Sequence, residues 1–257
     1  MARRPRGKKF FGAFFQKSAA FLFLFPFCAS AADCPVSGDL PIPLLPHTRA
    51  AMATNQPLMV VALGSSSTRG WMATDIAHSY PSLLQRALND GLPKADFAVI
   101  NRGIGGQDAP EELARLDQDV LAVRPQLVIW QVGANGAVHD ESPLVFRHLV
   151  EEGIAKLKAA GSDVILMDNQ RSPRILASPG HALMDQTLAQ IAQETKVSLF
   201  SRGVLMDHWA AVGGPYDDFI AVDGFHMNNR GYACLAQALA QAITTALKQP
   251  IARQSVP

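Results

Sequence analysis

Five short, nearly uninterrupted apolar runs mark the chain: Leu58 to Leu63, Phe97 to Ile100, Leu127 to Val132, Val164 to Met167 and Val197 to Phe200. Each lacks the alternation of a strand with one wet face, so each reads as a strand covered on both sides, as in a parallel sheet. Between the runs, apolar residues recur at helical spacing. Leu83, Leu84 and Leu88 precede the second run, Leu113, Leu116, Val120 and Leu121 the third, and Val150, Ile154 and Leu157 the fourth. That spacing places an apolar stripe along one side of each helix. A last helix, over 229–247, follows no visible strand. The alternation predicts an α/β fold, a three-layer α/β/α sandwich with a central five-stranded parallel sheet and right-handed crossovers. In open sheets of this kind ligands gather beyond the carboxyl ends of the strands. The loops at that edge are therefore where chemistry is sought.

The start of the chain is different in kind. Arg3, Arg4, Arg6, Lys8 and Lys9 precede an apolar run from Ala19 to Phe27, which closes on Ala29, Ser30 and Ala31. This is the order of a secretory signal peptide cut after Ala31. The run is about half of the ~20 residues that span a bilayer, and the bulky Phe27 stands where a lipoprotein signal at Cys28 needs a small residue. The expected organisation is a signal peptide over 1–31, a proline-rich lead-in over 32–57 that is extended from Cys34 to Pro46, one folded domain over 58–249 and a tail over 250–257. Losing residues 1–31 leaves 17 basic against 22 acidic side chains, a net charge of −5, which gives no footprint for nucleic acid. The processed chain is expected in the periplasm or outside the cell, with no stable membrane insertion. Cys34 and Cys234 then lie in an oxidising compartment and are compatible either with one disulfide or with two unrelated cysteines.

Three strand-end loops and one later loop carry candidate chemistry. The first reads Gly64-Ser65-Ser66-Ser67-Thr68-Arg69-Gly70, a cluster of hydroxyls bracketed by glycine. It is neither a G-x-S-x-G elbow nor a phosphate-binding P-loop. The second, Asn101-Arg102-Gly103-Ile104-Gly105-Gly106-Gln107, lets backbone N–H groups approach a ligand closely. The third, Gly133-Ala134-Asn135-Gly136, offers the Asn135 amide as a donor where an oxyanion could form. Singly, each is ordinary turn chemistry. The later loop, Asp223-Gly224-Phe225-His226, is more specific, because an aspartate three residues before a histidine can hold Nδ1–H and leave Nε2 free to take a proton. Of the other histidines, His78, His148 and His181 fall on predicted helices. His208 directly follows Asp207, His139 precedes Asp140, and His47 lies in the lead-in. No H-E-x-x-H run or tight His/Asp cluster suggests a metal.

Taken in order, Gly64-Ser65-Ser66, Gly106 within N-R-G-I-G-G, Asn135 within G-A-N and D-G-F-H resemble the SGNH (GDSL-type) hydrolase family over 58–247. The resemblance implies Ser66 as nucleophile, His226 as base and Asp223 as its orienter. It also implies an oxyanion hole from the backbone N–H groups of Ser66 and Gly106 and the Asn135 side chain, with no cofactor. Where the family usually carries aspartate, this chain has Ser65, so Ser65 and Ser67 compete with Ser66 for the nucleophile's place. The implied activity is hydrolysis of carboxylic esters, with an O-acetylated extracellular polysaccharide or oligosaccharide as the leading substrate. Alternatives are a lipid-directed esterase or lysophospholipase, acetyl transfer by the same triad, and a non-catalytic carbohydrate-binding component. Trp71 and Met72 either border the site or pack against the domain, Trp130 is expected in the core, and Trp209 is a candidate to line the cleft.

Overall fold

Alternate residues of a strand serve opposite faces of its sheet, and in this protein both faces of the central strands are buried. The computed structural model describes residue 1 and residues 34–249 other than 39, 44 and 55. The expected signal peptide lies essentially outside these residues, as does the tail from 250. Strands β1 (Leu58–Gly64), β2 (Phe97–Gly103), β3 (Leu127–Gln131), β4 (Asp163–Met167) and β5 (Ser198–Phe200) coincide with the five apolar runs. They form one parallel sheet in the order β2-β1-β3-β4-β5. Val60, Ala62, Leu127, Ile129, Ile165 and Met167 enter one core layer. Val61, Leu63, Val128, Trp130, Val164 and Leu166 enter the other. With both alternating sets buried in the central strands β1, β3 and β4, no polar residue is tolerated in their middles, which is why their sequences do not alternate. The half-buried edge strand β2 carries Asn101 and Arg102 near its end.

Helices Tyr80–Gly91 and Asn229–Lys248 cover the first layer through Leu84, Leu88, Leu235, Leu239 and Ile243. Helices Pro143–Ala159 and His181–Thr195 cover the second through Phe146, Val150, Ile154, Leu188 and Ile191. Trp130 is fully buried, as expected, and its Nε1–H donates to Glu112 Oε2 at 2.7 Å. From β1 the chain goes outward to β2 and then returns past β1 to β3. Crossovers on the two sides of that pair run in opposite directions, so a crevice opens where the carboxyl ends of β1 and β3 meet.

Two segments differ from the pattern read in the sequence. The apolar positions between Leu113 and Leu121 do not form one helix. They lie in Ala109–Ala114, Leu116–Asp119 and a 3-10 turn over Leu121–Val123, interrupted at Arg115, whose backbone is non-helical (φ −101, ψ 4). Within the proline-rich lead-in, Pro46–Met52 is helical. Proline is tolerated in a first turn, and the Asp163 carboxylate at the start of β4 accepts the N–H groups of His47 and Thr48 at 3.3 and 2.8 Å. Ahead of that helix Ile42 and Leu45 are buried in the first core layer. The lead-in is thus docked onto the amino end of the sheet.

Cys34 and Cys234 are joined by a disulfide across a sequence separation of 200 residues, tying the lead-in to the last helix. Closing so long a loop removes much of the freedom of the unfolded chain. Cys34→Ala is expected to lower stability by about 2–4 kcal/mol, read as a fall in the urea midpoint, and reduced wild-type protein should show the same fall.

Candidate active site

The crevice between β1 and β3 holds the serine-rich loop. β1 ends at Gly64, where an added Cβ would lie 2.3 Å from Thr68 Oγ1 and 2.8 Å from the Gln131 carbonyl, so only glycine lets the chain turn this close to β3. Ser66 begins a four-residue helix, Ser66–Arg69, which ends at Gly70 in the left-handed region (φ +89). Gly103 at the end of β2 admits this turn, since a Cβ there would meet Arg69 N at 2.1 Å. The three serines are thereby told apart. Ser65 is buried and turned inward, its hydroxyl donating to Gln131 Oε1 at 3.2 Å. Ser67 is also buried, at 2% exposure. Ser66 alone of the three meets a histidine.

That histidine is His226. Its Nε2 lies 2.8 Å from Ser66 Oγ, and its Nδ1 lies 2.6 Å from Asp223 Oδ2. The Asp223-Gly224-Phe225-His226 spacing works because one carboxylate serves two purposes. Oδ1 accepts the backbone N–H groups of Phe225 and His226, both at 3.0 Å, closing a turn that aims Oδ2 at the imidazole. Partial burial pushes the Asp223 carboxyl upward, but hydrogen bonds from the His226 ring and from the His226 and Phe225 backbones outweigh it and hold the group below its ordinary value. An ionised carboxylate on Nδ1 leaves Nε2 as an acceptor for the serine proton. A serine in this setting can be converted to a nucleophile when it attacks.

The glycine loop stands over the serine. A Cβ on Gly105 would be 3.8 Å from Ser66 Cβ, and Gly106 adopts φ +82, a conformation that suits glycine. Asn135, in the short helix Ala134–Val138 after β3, is buried and donates one Nδ2 hydrogen to the Gln107 carbonyl at 2.9 Å. Its amide carries a second hydrogen. Ser66, Gly106 and Asn135 thus come from three strand ends that meet at one crevice. Of the remaining histidines, His78 pairs with Asp75 at 2.9 Å, His139 pairs with Asp108 at 2.9 Å, and His208 packs near Gly38. Trp71 is exposed, with its ring centroid 6.4 Å from that of His226. Trp209 does not line the cleft. It is fully buried against Phe219, at 4.5 Å between ring centroids.

Two residues absent from the sequence reading hold the loops in place. Gln131, buried at the end of β3, offers Oε1 to Ser65 N, Ser65 Oγ and Thr68 Oγ1 at 3.3, 3.2 and 3.2 Å. It anchors the serine loop with a neutral acceptor at the place where Ser65 replaces the family's usual aspartate. Arg115 donates to the carbonyls ending β1 and β2, Gly64 O at 3.1 Å and Arg102 O at 2.8 Å, and to Gln107 Oε1 at 2.6 Å. The bends that interrupt the helix pattern at Arg115 bring this guanidinium to the strand ends. The sequence signal was the break itself, a basic residue amid apolar helical positions.

Residues 33–249 match the model of the non-GDSL lipase-like family. The chain is 31% identical to Esterase TesA of Pseudomonas aeruginosa over 144 residues, covering 54% of this chain and 64% of that protein. It is 33% identical to an arylesterase of Vibrio mimicus over 124 residues, covering 48% of this chain and 60% of the relative. The chain therefore spans less than two thirds of the length of these two relatives. A two-domain esterase active on acetylated mannans, crystallised with mannopentaose, shares the fold with a TM-score of 0.67 at 22% identity, over 82% of this chain and 56% of its own.

The loop anchors give two expectations. Gln131→Leu strips three donors of their acceptor and should cost about 1–3 kcal/mol, measurable as a lower denaturant midpoint. Glu141 packs against Gly136, beside Asn135, with both carboxylate oxygens buried and unpartnered. Burial first, and then the charges of Asp108 and Glu111, push it up to about 7. An acid raised on folding is harmless while neutral and costs stability as pH climbs from its ordinary value through the folded one. Glu141→Gln should therefore raise the melting temperature at pH 8 and give no such gain near pH 4, seen in melting curves across pH.

Proposed function

This chain belongs to the non-GDSL lipase-like family of SGNH-type hydrolases, and from that membership we propose that it is an exported serine esterase working through Ser66, His226 and Asp223. The observation that carries the proposal is the unbroken relay from Ser66 Oγ to His226 Nε2, 2.8 Å, and from His226 Nδ1 to Asp223 Oδ2, 2.6 Å. Ser66 Oγ attacks the ester carbonyl as His226 Nε2 takes its proton, and the carbonyl oxygen becomes an oxyanion met by Ser66 N–H, Gly106 N–H and Asn135 Nδ2–H. Preorganised donors of this kind are worth ~10²–10³ each in turnover. The tetrahedral adduct collapses by breaking the bond to the alcohol oxygen, which leaves with the proton from His226. Water then attacks the acyl-Ser66, gives a proton to His226, and releases the acid as Ser66 recovers that proton.

The substrate we favour is an O-acetylated polysaccharide or oligosaccharide. A structural neighbour is active on acetylated mannans, and two relatives are an esterase and an arylesterase. Export is supported by the Cys34–Cys234 disulfide, which forms and persists in oxidising compartments, and by the basic-then-apolar leader over 1–31. Among the described residues no helix is long and apolar enough to cross a membrane.

Purified protein should hydrolyse p-nitrophenyl acetate and release acetate from an acetylated glycan. Ser66→Ala should lower turnover by at least about 10³-fold, while Ser67→Ala keeps most of it. Full activity in Ser66→Ala would overturn the assignment, and preference for long acyl chains over acetyl would replace the glycan substrate with a lipid one.

A further inference from the structure

The geometry of the relay decides where the two halves of an ester must lie. His226 Nε2 both takes the serine proton and returns it to the leaving oxygen, so the alcohol half departs on the side of the imidazole. Two aromatic rings lie near that imidazole, Phe225 at 4.7 Å and Trp71 at 6.4 Å between centroids, and of the two Phe225 is buried whereas Trp71 faces solvent. We infer that Trp71 is the floor of a leaving-group subsite that binds a pyranose ring, so that the alcohol half of the substrate is a saccharide. The inference rests on the serine-esterase reading of the same site.

Trp71 differs from the other two tryptophans. Trp130 and Trp209 are fully buried, whereas Trp71 is 51% exposed beside the base, its ring tilted by 53° to that of His226 at 6.4 Å. A large aromatic surface left in water forgoes the free energy that burial would bring. Its backbone is nevertheless pinned at both ends. The Trp71 N–H donates to the Ser66 carbonyl at 2.9 Å, and Tyr232 Oη–H donates to the Trp71 carbonyl at 2.8 Å. The ring is therefore presented from an anchored backbone, next to the nucleophile in the chain and next to the base in space.

Thr74, three residues after Trp71, and Asn229, three residues after His226, form a polar and ordered rim. Thr74 N–H donates to Asn229 Oδ1 at 3.0 Å, Asn229 Nδ2–H donates to Thr74 Oγ1 at 2.9 Å, and Thr74 Oγ1 also meets His78 Nδ1 at 3.1 Å. His78 in turn pairs with Asp75. Asn229 opens the last helix three residues after His226. A pyranose carries polarised C–H groups on its face and hydroxyls around its edge. The negative face of an indole attracts the first, and exposed amide, hydroxyl and carboxylate groups suit the second. A fatty alcohol would use the ring and leave the polar rim idle.

Because the other two tryptophans are buried, quencher-accessible emission reports on Trp71. In Ser66→Ala protein, unacetylated mannopentaose or xylopentaose should shield that emission from acrylamide, and Trp71→Ala introduced beside Ser66→Ala should weaken saccharide binding about tenfold by calorimetry. In the active enzyme, Trp71→Ala should lower kcat/KM for an acetylated oligosaccharide about tenfold more than for triacetin, whose alcohol has no ring, chiefly through KM, and Trp71→Phe should recover most of the loss. Equal losses on both esters, or no shielding by either saccharide in a protein whose parent cleaves triacetin, would overturn the subsite and leave the esterase reading standing. Selective loss on phenyl acetate alone would make it an aryl subsite and overturn the saccharide. If no ester were cleaved, the esterase reading would fail, and the shielding experiment would still decide whether Trp71 binds sugar.

Discussion

The convergence of the carboxyl ends of β1 and β3 is the constraint on which the site depends. Gln131 closes β3 and receives three hydrogen bonds from the loop that leaves β1. Gly64 allows the two to approach within a distance that any side chain would forbid. Arg115 fastens the outer strand to the same point by bridging the carbonyls of Gly64 and Arg102. Neutral acceptors and one guanidinium satisfy polar groups that would be costly to leave unpaired in a buried crevice. At that point the Ser66 hydroxyl takes no part in this anchoring and meets His226 Nε2 at 2.8 Å.

The anchoring continues outward as a chain of hydrogen bonds. Arg115 holds the Gln107 side chain, and the Gln107 carbonyl holds Asn135, so the loops after β2 and β3 are linked through one residue. On the opposite side Gln170 donates to the Phe225 carbonyl at 2.8 Å and steadies the loop that carries His226. A constellation from four separate loops needs such ties, because a misplacement of about 1 Å can cost ~10²-fold in rate. The Asp223 turn adds a local tie, since one carboxylate both folds the loop and orients the ring.

The amino-terminal lead-in supports this edge from a distance. Its disulfide to Cys234 and the capping of its helix by Asp163 clasp the last helix and the start of β4. The last helix begins just after the loop that carries His226 and bears Tyr232, which fixes the Trp71 backbone. Clamping that helix therefore bears on both His226 and the aromatic ring near it.

The sequence by itself determined the sheet and the strand-end loops from which the candidate site is built. Burial on both faces leaves strands no choice but continuous apolar runs, and those runs appear at their observed positions. It also determined the Asp223–His226 pair, because that pair is a local turn whose contacts span three residues. It left Ser65, Ser66 and Ser67 as rivals, and it did not reveal Gln131 or Arg115. Those distinctions depend on pairings between residues separated by 160 positions for Ser66 and His226, 66 for Ser65 and Gln131, and 51 for Gly64 and Arg115. Periodicity reports which face of an element is buried, but it says nothing about which distant side chain waits there. Trp209, two residues after Asp207 on the helix Arg202–Ala211, went into the core for the same reason, and only the packed structure turns Ser65 to Gln131 and Ser66 to His226.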